Sequence, residues 1–313
     1  MWNYTDKSKI VEYLLSLNLL NCEKKEYIKK IYSISNNIEN NYKVFKIKKK
    51  NGNYRTIYSP NSTLKHIQRQ LLKNVLYERK PSKYACAYKI GSSLRDNAIC
   101  HVNKKIILKL DIESFFDSIE FMTIYNSCFP LELYPKEIGM LFTYLCSYDD
   151  YLPQGAPTSA YISNLVMRDF DISVGSWCDS NNISYTRYCD DMTFSGDFNV
   201  SDVISKVNNE LKKLSLNLNR EKIHVIHSNN SQIVTGIVVN DHLQVSSKYR
   251  NNIRKEIYYI NKYGIESHLK YINCNIDKNI YLSKLYGKVL FVLQINSNDK
   301  EFLKYKEFLK SLK

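Results

Sequence analysis

Three aspartates in this 313-residue chain have the type and setting to do chemistry. Asp111 ends the apolar run Ile106–Leu110, interrupted by Lys109, which reads as a mostly buried strand. A lone ionised carboxylate there is expensive unless a cation or hydrogen-bond donors compensate it. Asp190 and Asp191 stand between two β-rich runs, Ile183–Tyr188 and Met192–Ser195, which puts them at a hairpin tip. Adjacent carboxylates repel by about 1 kcal/mol at 4 Å even in water, so a positive partner is expected beside them. If the hairpin folds back beside the strand ending at Asp111, three carboxylates converge. Oxygen-only ligands with open positions suit Mg²⁺, which takes one or two carboxylates together with substrate phosphates. Two such ions ~3.5–4 Å apart activate a hydroxyl and stabilise a leaving pyrophosphate. Asp149-Asp150, by contrast, reads as a solvated turn.

The elements that must position these groups follow from periodicity and punctuation. The first 40 residues read as two helices split near Leu20-Asn21-Cys22, the first an amphipathic stretch over Ile10–Leu20. Tyr42–Lys50 and Tyr54–Tyr58 flank Asn51-Gly52, a strong hairpin signal because both turn residues tolerate positive φ. Helical spacing runs over Ser62–Arg79 and over Leu94–His101, the latter opened by Ser92 or Ser93. Pro135–Cys146 and Pro157–Asp179 read as helices with proline at the first turn. Val200–Leu214 is a further helix, followed by short strands near 223–227, 233–239 and 243–245. From Ser246 the chain is helical and basic. Helices mixed with hairpins, without regular βαβ alternation, give α+β. The composition shifts most at Ser246, where a boundary is expected.

Lys and Arg number 45 against 31 Asp and Glu, a formal charge of +14 that points to a polyanionic partner or to a lysine-rich compositional bias. No apolar run approaches the ~20 residues a membrane span needs. The eight cysteines form no C-x-x-C pair, so a zinc site is not expected and reduced core thiols in a cytoplasmic protein are.

The ordered set of apolar strand–Asp–x–x–x–Phe–Phe, Pro-Gln-Gly turn into a helix, and aromatic-x-Asp-Asp hairpin resembles the palm of reverse transcriptases. Leu110–Ile119 resembles motif A, Leu152–Ser159 motif B, Tyr188–Asp191 motif C and Asn219–Lys222 motif D; the strand pair around Val234–Val239 stands where motif E would. The resemblance narrows to bacterial retron reverse transcriptases through Asn97-Ala98-Ile99-Cys100-His101 and Val234-Thr235-Gly236, similar to that family's Asn-Ala-x-x-His and Val-Thr-Gly elements. Ala160 departs from the usual proline and Cys189 from the usual alanine. The resemblance implies a right-hand polymerase: a helical extension over 1–40, fingers over 41–105, palm with remaining fingers helices over 106–245, and a helical thumb over 246–313. It further implies copying part of a cognate structured non-coding RNA into a branched RNA–DNA hybrid, primed from a guanosine 2′-hydroxyl. That chemistry uses dNTPs and two Mg²⁺ ions, with Mn²⁺ as an alternative. A separately encoded effector in anti-phage defence is implied as a partner, and no membrane. Alternatives are another stand-alone bacterial reverse transcriptase, of abortive-infection or group II intron type, and a palm-shaped RNA-binding scaffold.

By the same resemblance, Asp111 and Asp190 are metal ligands with Asp191 supporting. Phe116 is the ring beneath the incoming sugar that rejects a 2′-hydroxyl, while Phe115 suits the core. Arg55 and Lys48–Lys50 either clamp the triphosphate or form a solvated charge run. Gln154 and Gly155 make the turn against the nascent base pair. Lys222 either serves the leaving pyrophosphate or is a surface lysine. Asn97 and His101 contact RNA or satisfy buried polar groups beside the Asp111 strand; Thr235-Gly236 is a primer-side strand, an RNA contact or a bulge. Lys248, Arg250 and Arg254 open a tail that grips A-form phosphates or is a plain helical subdomain.

Overall fold

The computed structural model describes residues 7–48 and 52–312. It opens with α1 (Lys7–Ser16) and α2 (Lys24–Asn36). α1 stops before the expected Leu20, and Asn18 beyond it takes a left-handed φ of 49°, a conformation asparagine tolerates. β1 (Tyr42–Lys48) and β2 (Tyr54–Pro60) pair antiparallel from Tyr42↔Pro60 to Lys48↔Tyr54. The Asn51-Gly52 turn expected between them includes Asn51, which with Lys49 and Lys50 lies outside the described residues. In α3 (Ser62–Asn74) the Asn61 side chain caps the N-terminus by accepting from the Leu64 N–H. α4 (Leu94–Ile99) begins with a capping box between Ser93 and Asp96.

β3 (Ile106–Asp111) matches the expected strand. α5 (Phe121–Cys128) was not expected, although Phe121, Ile124, Tyr125 and Cys128 are buried at helical spacing. α6 (Lys136–Cys146) is preceded by Pro135 at its N-cap. The single helix expected over Pro157–Asp179 is two, α7 (Ser159–Val166) and α8 (Arg168–Ser180). Met167 (φ −81°, ψ 3°) stands between them, and Asp169 and Asp171 occupy the first turn of α8, where the helix dipole favours acids. β4 (Ser184–Tyr188), β5 (Asp191–Gly196), α9 (Val200–Lys212) and β6 (His224–His227) follow. The run near 233–239 is a hairpin of β7 (Ile233–Val234) and β8 (Ile237–Val238), with Thr235 (φ 46°) and Gly236 (φ 86°) supplying the positive dihedrals of its two-residue turn. β9 (Gln244–Val245) pairs with β8. α10 (Ser247–Tyr263), α11 (Ile265–Tyr271), α12 (Lys278–Ile295) and α13 (Lys300–Ser311) complete the chain.

Compactness divides the chain into one unit of Met1–Ser92, Lys109–Met192 and Asn199–His224, and another of Ser93–Leu108, Thr193–Phe198 and Val225–Lys313. The composition shift at Ser246 is not where the division falls. The tail helices share one core with Ala98, Ile107, Val234, Ile237 and Val239, to which they contribute Ile253, Ile257, Leu285, Val289 and Phe302. Amphipathic helices need an apolar partner, and the short strands before Ser246 supply it. In the four-stranded sheet the order is β4-β5-β3-β6, so the strand ending at Asp111 is next to the strand beginning at Asp191. All eight cysteines are free. Among the described residues no helix is long and apolar enough to cross a membrane.

Candidate active site

Asp111 is 6% exposed at the end of β3, and its backbone carbonyl accepts from the Asn219 N–H at 2.8 Å. Cys189 (φ 63°) and Asp190 form the β4–β5 turn, and Asp191 opens β5. The Asp190 carbonyl accepts from the Ile112 N–H at 3.3 Å, which ties the turn to the residue after Asp111. Burial, repulsion from Asp190 and Asp111, and a hydrogen bond shared with Asp111 push the Asp191 carboxyl up to about 6. The compensating cation expected from the sequence is Lys222: its Nζ donates to both Asp111 oxygens, at 2.8 and 2.9 Å. Burial pulls that ammonium down, but its hydrogen bonds to Asp111 and the charges of Asp111, Asp190 and Asp191 outweigh this and hold it above the ordinary lysine value.

Among the described residues, no group of three or more His, Cys, Asp or Glu side chains is arranged to hold a metal ion. The donor chemistry nonetheless fits a hard divalent cation. The nearby side-chain donors are carboxylate oxygens, their mutual repulsion raises one of them, and a positive group already binds Asp111 through both oxygens.

Sequence reasoning missed the support beneath this turn. Arg187 and Asp171 are both fully buried and meet in a two-pronged ion pair, Nε to Oδ1 at 2.8 Å and Nη2 to Oδ2 at 2.7 Å. Tyr185 donates to the same carboxylate at 2.8 Å. The remaining arm, Arg187 Nη1, donates to the Cys189 carbonyl at 2.8 Å and so holds the left-handed residue just before Asp190. Burial opposes the guanidinium charge, but Asp171 outweighs it and keeps Arg187 protonated. The available signal was Arg187, the one charged residue in the β-rich run Ile183–Tyr188, which demands a partner where that run is buried.

The other expected residues of this unit fall as follows. Phe115 is buried, as expected of a core ring, and Phe116 is half-buried beside it, ring centroids 5.4 Å apart. The Gln154 carbonyl accepts from the Tyr58 N–H at 2.9 Å. A Cβ on Gly155 (φ 124°) would stand 2.8 Å from the Tyr58 carbonyl oxygen, so what requires glycine here is the β2 backbone. Arg55 and Lys48 are exposed on the hairpin.

In the other unit several expected RNA contacts turn inward. His101 is fully buried with Nδ1 2.7 Å from the Ser195 hydroxyl, and Asn97, also buried, donates to the Thr235 hydroxyl at 3.2 Å. Both side chains are thus engaged with buried polar partners, and Thr235-Gly236 is a hairpin turn rather than a bulge. Arg250 pairs with Asp299 and Glu301, and Arg254 with Glu301, so neither is presented as a free phosphate grip. Lys248 remains exposed.

The model of the reverse transcriptase (RNA-dependent DNA polymerase) family matches residues 47–271. The retron Ec86 reverse transcriptase of Escherichia coli is 28% identical over 232 residues, 70% of this chain and 70% of that one. The retron Ec73 reverse transcriptase of Escherichia coli is 31% identical over 241 residues, 70% of this chain and 76% of that one. Among solved structures, a telomerase from Candida albicans in complex with the TWJ fragment of telomeric RNA superposes with a TM-score of 0.50 at 11% identity, over 90% of this chain and 68% of that one. At that identity the likeness is one of fold. With the family model spanning most of the chain, the protein belongs to the reverse transcriptases, and within them to the bacterial retron reverse transcriptases.

Proposed function

We propose that this reverse transcriptase copies part of a cognate structured non-coding RNA into a branched RNA–DNA hybrid, beginning from an internal guanosine 2′-hydroxyl to give a 2′,5′ linkage. The observation that carries the reading is the acidic centre, Asp111 with Asp190 and Asp191 gathered beside it and Lys222 across it. Asp111 and Asp190, supported by Asp191, would hold two divalent cations, Mg²⁺ with Mn²⁺ as an alternative. When bound, such ions supply Lewis acidity toward a primer hydroxyl and the phosphates it attacks.

The chain's own residues do the remaining work. Lys222 balances the charge of Asp111 and is the proton donor toward leaving pyrophosphate. Phe116 lies against the sugar of the incoming dNTP and excludes a 2′-hydroxyl. Arg55 and Lys48 meet the triphosphate, Arg55 with the two-pronged geometry suited to phosphate. Gln154 and Gly155, braced on Tyr58, back the nascent base pair. Residues 41–105 serve as fingers, 106–245 as palm with further fingers helices, and 246–313 as thumb, behind an extension over 1–40; Lys248 meets template phosphates. The hybrid acts in the cytoplasm with a separately encoded effector in defence against phages.

Primer extension on an RNA template with dNTPs and Mg²⁺ tests the centre. Wild type extends the primer, and Asp190→Asn does not while retaining RNA binding; full activity in that variant overturns the assignment. Nucleic acid isolated from cells expressing the chain with its RNA tests the product. A branched species shortened by a 2′,5′-debranching enzyme is expected, and linear DNA would refute the priming step.

A further inference from the structure

Tyr88 has no part in the chemistry assigned to the acidic centre, yet its backbone is held in a costly state. Its φ is 54°, in the left-handed region that a tyrosine keeps only where its surroundings enforce it. The enforcing contacts lie on both sides. The Arg187 N–H donates to the Tyr84 carbonyl at 2.9 Å, and the Cys86 N–H donates to the Arg187 carbonyl at 2.8 Å, which lays residues 84–86 parallel to β4. The Asn164 side chain of α7 donates to the Ala87 carbonyl at 2.7 Å. Beyond Tyr88, the Ser92 hydroxyl closes the loop by donating to the Cys86 carbonyl at 2.9 Å, and the Ser92 N–H donates to the Lys89 carbonyl at 3.1 Å.

This frame sets a ring that is 50% exposed beside the turn between β4 and β5. The Tyr88 hydroxyl hydrogen-bonds the Cys189 side chain, and Cys189 in turn hydrogen-bonds the Asp190 carboxylate. The chemistry of the groups sets the direction. A carboxylate only accepts, so the thiol S–H donates to Asp190; the sulfur is left as an acceptor, and the Tyr88 O–H meets it. Cys189 is 7% exposed, so water competes little for that sulfur.

The alanine usual at this position in the family could make neither bond. We infer that Tyr88 and Cys189 are positioning residues for Asp190: hydroxyl to sulfur to carboxylate, a relay that fixes which way the carboxylate faces and leaves its other lone pairs open to a cation. Arg187 serves the same turn twice, through its guanidinium on the Cys189 carbonyl and through its backbone on the segment that carries Tyr88. A ring that only shielded the turn from water would need no hydroxyl. The inference rests on the reading of Asp190 as a cation ligand.

The test uses the full chain, in single-turnover extension of a primer on an RNA template with dNTPs and Mg²⁺ and in infrared spectra of the same samples. Tyr88→Phe keeps the ring and removes only the hydroxyl. It should lower the maximal rate roughly threefold to tenfold, the effect of one hydrogen bond. The dNTP concentration for half-maximal rate and the denaturation midpoint should not move. Cys189→Ala should lose a similar factor, the double variant no more than the larger single loss, and Cys189→Ser should restore most of what alanine loses. The Cys189 S–H stretch, isolated by subtracting the Cys189→Ala spectrum, should rise in frequency in Tyr88→Phe, because linked hydrogen bonds strengthen one another. A full rate in Tyr88→Phe, losses that multiply in the double variant, or an unmoved stretch overturns the inference. If wild type extends no primer while the stretch still shifts, the polymerase reading fails and the relay stands.

Discussion

Lys222 and Asp111 are joined through both carboxylate oxygens, at 2.8 and 2.9 Å. The ammonium thus competes with any other cation for the same oxygens, and its charge opposes cation entry. Lys222→Met should lower the Mg²⁺ concentration for half-maximal primer extension by about tenfold or more, since one unit charge at ~4 Å is worth about 1 kcal/mol in water and about 4 kcal/mol near a protein surface. The maximal rate should fall, because a proton donor is lost. A metal titration of extension rate reads both; a raised Mg²⁺ requirement would contradict the competition.

The pair Phe115 and Phe116 separates packing from selection. Phe115→Ala should cost about 3–5 kcal/mol of stability, as loss of a buried phenyl ring does. Phe116→Ala should leave the denaturation midpoint near wild type but raise ribonucleotide incorporation at least tenfold relative to deoxynucleotides. Competition assays with matched NTP and dNTP check the second effect, and unchanged discrimination would remove the gate role.

Arg187 and Asp171 allow stability and activity to be uncoupled. Asp171→Asn strands a buried guanidinium and should destabilise by about 3–5 kcal/mol. The double variant Arg187→Met with Asp171→Leu should recover most of that stability yet remain slow in extension, because nothing then donates to the Cys189 carbonyl. Chemical denaturation and single-turnover extension on the same samples decide it.

Glu301 ties the unit containing the tail helices to pH. Hydrogen bonds from Arg254 hold its carboxyl down at about 2, helped by Tyr305 and the charge of Arg250. The ordinary glutamate value is about 4.3. A depressed folded value means stability fully present above pH ~4.3 and lost progressively as pH falls toward 2. Glu301→Gln should flatten that part of the stability profile, and denaturation midpoints at pH 6, 4 and 3 would show it. The partial exposure of the pair keeps the effect small.

Much of this was legible in the chain. Asp111 at a strand end and Asp190-Asp191 on a turn follow from apolar patterning, because a charge that interrupts or ends such a run must be accounted for. Ser92 or Ser93 as a cap before helical spacing announced the start of α4, and the structure settles on Ser93. What escaped depended on partners far along the chain. Met167 breaks a helix without proline or glycine, marked only by two acids after it. The inward turn of His101, Arg250 and Arg254 required Ser195, Asp299 and Glu301, whose proximity no local pattern encodes. α5 was readable from its spacing and was hidden by its length.

The hydrogen bond from Tyr58 to Gln154 and the bare Cα of Gly155 against the Tyr58 carbonyl have a mechanical corollary. The solvent-facing β1–β2 arm and the Gln154–Gly155 loop cannot slide past each other without breaking that seam. A load on the arm, such as a polyanion tugging at Arg55, is therefore delivered to the loop as displacement, and a side chain grafted onto residue 155 would cut the transmission even if every acidic group stayed in place.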